Sequence, residues 1–254
     1  IALLYAQNFD GLIIGFPNNI SIAGEGVVNE GVNSTKLGLK GIPALAEHLQ
    51  IVRELYLLEY TGGKLHIPTI STATSVQLIK EAKKKGLQVS CSVTAHHLIL
   101  TDDELETFDS KAKVSPPLRT KQDNKALLKG LKDGVIDMIT SDHHPIDIEN
   151  KKLEFSIAKD GTIGLESLFG AVNSVLDLET SIKALTSNPR SIFGQEPQSI
   201  KTNNTANLTL FNPVENYIFS RNNILSTSKN SAFIGKELKG KVYGIYSNKK
   251  LVLN

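Results

Sequence analysis

The 254 residues contain no tryptophan, and cysteine and methionine occur only once each. The single Cys91 excludes an internal disulfide. It lies in the apolar stretch QVSCSVT and reads as a buried structural thiol, which points to the cytoplasm. No apolar run reaches the ~18 to 20 residues that a membrane span requires. The first residues, IALLYAQNFDG, have no basic region before them, so they do not read as a targeting signal; the chain is expected to begin inside a helix. Charge of one sign is lacking too. Lys and Arg number 28 against 26 Asp and Glu, a net charge of +2, so no global field would recruit nucleic acid or an anionic membrane. Small molecules and proteins, including further copies of the chain, are the expected partners. What is present, 40% hydrophobic and 21% charged residues, is the balance of a globular protein with a substantial core.

From residue 1 to about 190, β-branched runs alternate with amphipathic stretches, the pattern of βα units and a parallel sheet. The runs are GLIIGF (11–16), KLHIPTIS (64–71), LQVSCSVT (87–94) and GVIDMIT (134–140). Between them Leu45, Leu49, Val52 and Leu55 recur at helical spacing, as do Val76, Ile79 and Ala82 before a stop at Gly86. A third helix has Thr120 as N-cap, Leu127, Leu128 and Leu131 as apolar face and Gly134 as terminator, and a fourth is expected from about Gly164 to Leu185. Beyond residue 190 turn residues dominate, with short alternating runs such as NLTLF and KVYGIYSNKKLVLN, so 191–254 reads as a small accessory β module. Four βα units are half of a closed (β/α)₈ barrel, and a half barrel leaves sheet edges unpaired. The sequence is therefore expected to be the C-terminal part of a longer chain.

The chemistry concentrates in ITSDHHP, where an apolar run delivers Asp142, His143 and His144. Locally this resembles the Asp-His-His motif of metal-dependent phosphoesterases. That chemistry needs two metals held by several carboxylates, and the upstream chain offers no strand-borne D-x-D; TDDELETFDS reads as a loop entering a helix. A wider window resembles something else. SVTAHHLILTDDEL, KAKVSPPLRTKQDNKALLKGLKDGVIDMITSDHHP and GTIGLESLFGAV occur in the order and spacing of the dihydroorotases of the amidohydrolase superfamily. NEGVNSTKLGLKGIPALAEHLQIVRELYLLEYTGGKLHI, LTSNPRSIFG, NLTLFNP and SKNSAFIGKELKGKV extend the likeness over essentially the whole chain.

The resemblance implies strands five to eight of an amidohydrolase (β/α)₈ barrel over 1–190 and part of an accessory β-sandwich over 191–254. It also implies two zinc ions, held by an upstream H-x-H, a fourth-strand lysine or aspartate, one histidine each on strands five and six, and an aspartate on strand eight. In that chemistry a metal-bound hydroxide opens the dihydroorotate ring while the aspartate shuttles the proton. Asp142 stands at the aspartate position. Phe16, in GFPNN, stands at the fifth-strand histidine, and Thr69, in HIPTIST, at the sixth-strand one. Phenylalanine cannot ligate zinc, and a neutral threonine hydroxyl is a poor ligand beside imidazole or carboxylate. Among the implied substrate-contacting positions, Ser115 replaces an asparagine and Ile146 a histidine, while Arg119 and Gly164 are retained.

Two functions follow as expectations. One is a dihydroorotase homologue with a degenerate metal centre, retained as a structural partner of aspartate transcarbamoylase. The other is an active cyclic-amide hydrolase with a reduced site in which Asp142 and His144 hold one metal. Of the other groups, His96 and His97 read as a packing and hydrogen-bonding pair and His66 as a satisfied core histidine. His48 reads as solvent-facing and Lys83 to Lys85 as a solvated helix C-terminus. Arg119 suits either a substrate carboxylate or a structural ion pair.

Overall fold

The computed structural model describes residues 1–196 and 198–253; the module assigned to 191–254 includes Pro197 and Asn254, which lie outside the described residues. The four apolar runs form the strands β1 (Leu12–Ile14), β4 (Lys64–Ile67), β5 (Val89–Thr94) and β6 (Met138–Thr140) of one parallel sheet, in the order β1-β4-β5-β6. Between β1 and β4, two residue pairs, β2 (Val28–Asn29) and β3 (Gly41–Ile42), make a separate parallel ladder. Register fixes which residues share a face: His66 stands opposite Ser90, and Thr94 opposite Thr140. Because side chains alternate along a strand, His66, Ser90, Ser92, Thr94 and Thr140 point to one side of the sheet. Leu65, Ile67, Cys91 and Val93 point to the other, where they are fully buried with Ile51, Leu58 and Ile79 of the covering helices.

The helix caps follow the sequence closely. Thr72 accepts from the Ser75 amide and starts the Ala73–Lys84 helix, which buries Val76, Ile79 and Ala82 and ends before Gly86 at φ +82°. Thr120 and Asp123 form a reciprocal capping box ahead of Lys121–Lys132, which buries Leu127 and Leu131. Two expectations are corrected. The stretch expected as one helix from Gly164 to Leu185 is two, Leu168–Val175 and Leu178–Leu185, because Asp177 accepts from the Thr180 amide and caps a new start. In the Leu45–Thr61 helix only Leu55 of the expected face is in the core; Leu45 and Leu49 are exposed, and the buried face is Ala46, Glu47, Ile51, Leu55 and Leu58.

The C-terminal residues build one antiparallel sheet of β7 (Leu208–Ile218), β8 (Glu237–Ser247) and β9 (Lys250–Leu253). Asn248 and Lys249, both at positive φ, make the two-residue turn between β8 and β9. This sheet packs on the Leu168–Val175 helix through Leu238 and a Phe169–Phe211 ring pair 4.5 Å apart. Asn173 donates to the Pro213 and Lys239 carbonyls and ties the helix to both long strands.

Candidate functional site

Because the strands are parallel, their carboxyl ends lie along one side of the sheet, where barrel and open α/β sites form. Phe16 follows β1 there, Thr69 follows β4, and Asp142 follows β6. Asp142 has φ +43°, tolerable for an aspartate, and is half-buried. Burial pushes its carboxyl above the usual range, with His144 pulling it back. His144 is exposed and anchored through its amide to the Thr162 carbonyl at 2.9 Å. The intervening His143 accepts from the amides of Gly164 and Leu165, both at 3.3 Å, which assigns its proton to Nε2. Gly164 is required there: a Cβ would come within 2.3 Å of the Ser141 carbonyl oxygen. Ile146 is held by main-chain bonds to Asn230 and Ser228.

The metal pair implied by the resemblance does not fit these side chains. Phe16 brings a ring with no lone pair. Thr69 brings a neutral hydroxyl, shut off from solvent, that finds no hydrogen-bond partner among the described residues. Its backbone sits at φ +51°, a region that β-branched residues avoid and histidine enters more readily. Among the described residues no three His, Cys, Asp or Glu side chains are placed to hold a metal.

Ser115 and Phe16 meet in a narrow slot with Pro17, Pro116 and Arg119, over a Ser115–Pro116 cis bond. It measures about 10 Å³, room for one water rather than a ring. A larger cleft of about 280 Å³ lies between 104–112 and 232–236, where Lys236 and Glu104 pair with each other.

Arg119 is 2% exposed and already engaged. Its Nε donates to Ser71 Oγ at 3.0 Å and its Nη1 to Asn29 Oδ1 at 2.8 Å, while Nη2 lies 3.6 Å from the Glu47 carboxylate. Glu47 accepts from the Ser71 amide at 2.9 Å, the Ser75 hydroxyl at 2.5 Å and the Ser71 hydroxyl. Asn29 extends the chain to Asp102 at 3.0 Å. Of the two roles open to Arg119, the structure therefore supports the ion pair. Glu47, Asn29 and Ser71 escaped the sequence reading; a lone acid beside an alanine in a first helical turn reads as a surface dipole partner.

The remaining histidines are interior groups. His66 contacts Ser90 Oγ at 2.8 Å and Ser92 Oγ at 3.3 Å, and burial lowers its pKa to about 4. His97 contacts Thr94 Oγ1 at 2.7 Å and the Pro117 carbonyl at 3.1 Å, again with burial lowering it to about 4. His96 is buried beside it, its Nε2 without a partner among the described residues. His48, expected in solvent, is instead half-buried against Thr72 Oγ1 at 2.8 Å. Lys83 is not simply solvated either; it pairs with Asp137 at 2.7 Å. Cys91 is a buried thiol that burial pushes up to about 12. No helix among the described residues is long and apolar enough to cross a membrane.

Comparisons with known proteins bear on the fold and on the sequence as a whole. The L-hydantoinase (dihydropyrimidinase) of Arthrobacter aurescens superposes with a TM-score of 0.87 at 23% identity, covering 99% of this chain and 59% of that one. The dihydropyrimidinase of Brevibacillus agri gives 0.85 at 22%, covering 100% and 59%. The fold is thus that of part of a (β/α)₈ barrel with accessory strands. Sequence similarity is more specific. Proteins named dihydroorotase are 39% identical over 244 residues in Geotalea daltonii, 43% over 246 in Carboxydothermus hydrogenoformans and 37% over 258 in Acetivibrio thermocellus. These alignments cover 94 to 99% of this chain and 57 to 61% of the relatives, so the chain spans less than two thirds of their length. No family model matches. Over nearly its whole length the chain is similar to proteins named dihydroorotase.

Proposed function

We propose that this chain belongs to a cytoplasmic, dihydroorotase-like protein of pyrimidine biosynthesis that lacks binuclear-zinc hydrolysis and serves as a structural partner of aspartate transcarbamoylase. The observation that carries the reading is the pair Phe16 and Thr69, standing where two imidazoles would be needed, with Asp142 as the one ligand-type side chain left of the three positions. Ring opening of a cyclic amide at neutral pH needs an activated water, and a lone half-buried carboxyl does not generate one. The engagement of Arg119 with Glu47, Asn29 and Ser71 supports the same reading, because the guanidinium is buried with its Nε and Nη1 donors committed and its Nη2 beside a carboxylate of the chain itself.

The test incubates the full-length protein with dihydroorotate and zinc and follows ring opening, and separately runs it with aspartate transcarbamoylase of the same organism on a sizing column. No turnover and a joint peak are expected. Turnover at ordinary enzymatic rates overturns the non-catalytic reading in favour of a reduced site of Asp142 and His144, which Asp142→Ala would then abolish. Separate peaks overturn the partnership.

A further inference from the structure

Two lysines lie where lysine is rarely found. Lys113 and Lys151 are each 5% exposed, and the hydrogen bonds of their ammonium groups go to main-chain carbonyls. Lys151 Nζ donates to the carbonyls of Ser110 at 2.6 Å, Lys159 at 2.8 Å and Lys113 at 3.4 Å. Lys113 Nζ donates to Ala158 at 2.7 Å and Ser156 at 3.0 Å, and lies 5.5 Å from the centre of the Phe155 ring. The field of Asp160 reaches both ammonium groups and offsets part of their charge.

The donors and acceptors divide between two stretches. Lys151, Ser156, Ala158 and Lys159 belong to the segment 148–160, which opens with the short helix Ile148–Lys151; Ser110 and Lys113 belong to a seat at 110–113. Lys113 thus reaches from the seat into the segment, and Lys151 from the segment into the seat. Apolar burial adds little. Phe155 and Ala158 are buried, but Ile148 is 59% exposed, Leu153 44% and Ile157 62%. A segment with so few buried apolar groups is held by its polar anchors, and charged donors make the strongest of these.

The far end of the segment reaches the strand-end site. The Lys113 carbonyl that receives Lys151 also accepts the Gly161 amide at 2.9 Å. Gly161 packs directly on the His144 imidazole, where a Cβ would lie 2.9 Å from the ring. Asn230 donates to the Gly161 carbonyl at 3.1 Å and the His144 carbonyl at 3.4 Å, and the His144 amide donates to the Thr162 carbonyl at 2.9 Å. We propose that 148–160 is a strap pinned by two ammonium groups in carbonyl cages, which opens as one unit and frees His144 when it does, independently of the function proposed above. The cage around Lys151 is then a binding site for a primary ammonium ion that the chain itself supplies.

Amide hydrogen exchange of the full-length protein tests this. The bonded amides of Lys152, Ala158, Lys159 and Gly161 report on the strap, and that of His144 on the coupling. In Lys151→Met the four strap amides should exchange on the order of ten- to a hundredfold faster, the loss expected when charged hydrogen bonds are removed. The His144 amide should accelerate with them, while β4 and β5 keep their protection. Lys113→Met, which empties the other cage, should accelerate the same amides. In Lys151→Ala, propylammonium replaces the missing stem and head and should restore slow exchange; tetramethylammonium, equally charged but without an N–H, should not. Unchanged exchange in both methionine variants, or acceleration that spreads through β4 and β5, would overturn the strap. A His144 amide that stays protected while the strap opens would overturn the coupling. Failure of propylammonium to restore protection, or equal recovery with tetramethylammonium, would overturn the cage.

Discussion

Replacing Arg119 by methionine tests whether the buried network around it holds the protein together. Arg119 and Glu47 are each 2% exposed, so removing the guanidinium leaves the Glu47 carboxylate in the interior with neutral donors only, the Ser71 amide and the hydroxyls of Ser71 and Ser75. It also strips Asn29 Oδ1 of its donor. Breaking a buried pair on one side costs about 3 to 5 kcal/mol, because the surviving charge keeps its desolvation penalty without its counterion. At about 2 to 4 °C per kcal/mol for a chain of this size, the midpoint should fall by roughly 10 °C. Urea unfolding of the wild type, Arg119→Met, Glu47→Met and the double variant measures this directly. The double variant should lose much less than the two singles together, since it buries no unpaired charge. Single losses below about 1 kcal/mol, or strictly additive ones, would refute the argument.

Thr69→Asn should raise stability by about 1 kcal/mol, because asparagine occupies positive φ with less strain than a β-branched residue; an unchanged or lower urea midpoint counts against strain at this site. His66 and His97 have folded pKa values lowered to about 4, beneath the ordinary 6.5. Between about pH 6.5 and 4 the unfolded chain therefore binds protons that the native one does not, and stability should fall as pH falls through that window. A urea midpoint that is flat from pH 7 to 5 contradicts these assignments. Cys91, pushed up to about 12 by burial, should react with a thiol reagent only after unfolding; rapid labelling of the native protein would show it to be accessible.

The sequence reveals much of the fold because strands buried on both faces read as continuous apolar runs, and because Thr120, Gly86 and Gly134 mark helix ends by local chemistry. It misleads where two signals overlap on one segment. The Leu45–Thr61 helix bears two apolar faces, and spacing alone mixes Leu45 and Leu49 with Leu55. The break at Asp177 is hidden because an acid inside an apolar stretch reads as a solvent-facing helical residue until its side chain is seen capping Thr180. At the strand ends, the positions of Phe16, Thr69 and Asp142 are legible only through family resemblance, since no local pattern relates residues more than fifty positions apart. The role of Arg119 needed coordinates: its partners Asn29, Glu47 and Ser71 come from three distant segments.

Metal content tests the central claim most directly. The purified full-length protein is soaked briefly in zinc, freed of excess and analysed for the element, with Phe16→His/Thr69→His alongside. The account predicts no tightly held zinc in the wild type and increased retention in the double variant, whose backbone at residue 69 already lies where histidine is tolerated. One or two equivalents held by the wild type would contradict it and return the protein to the hydrolases.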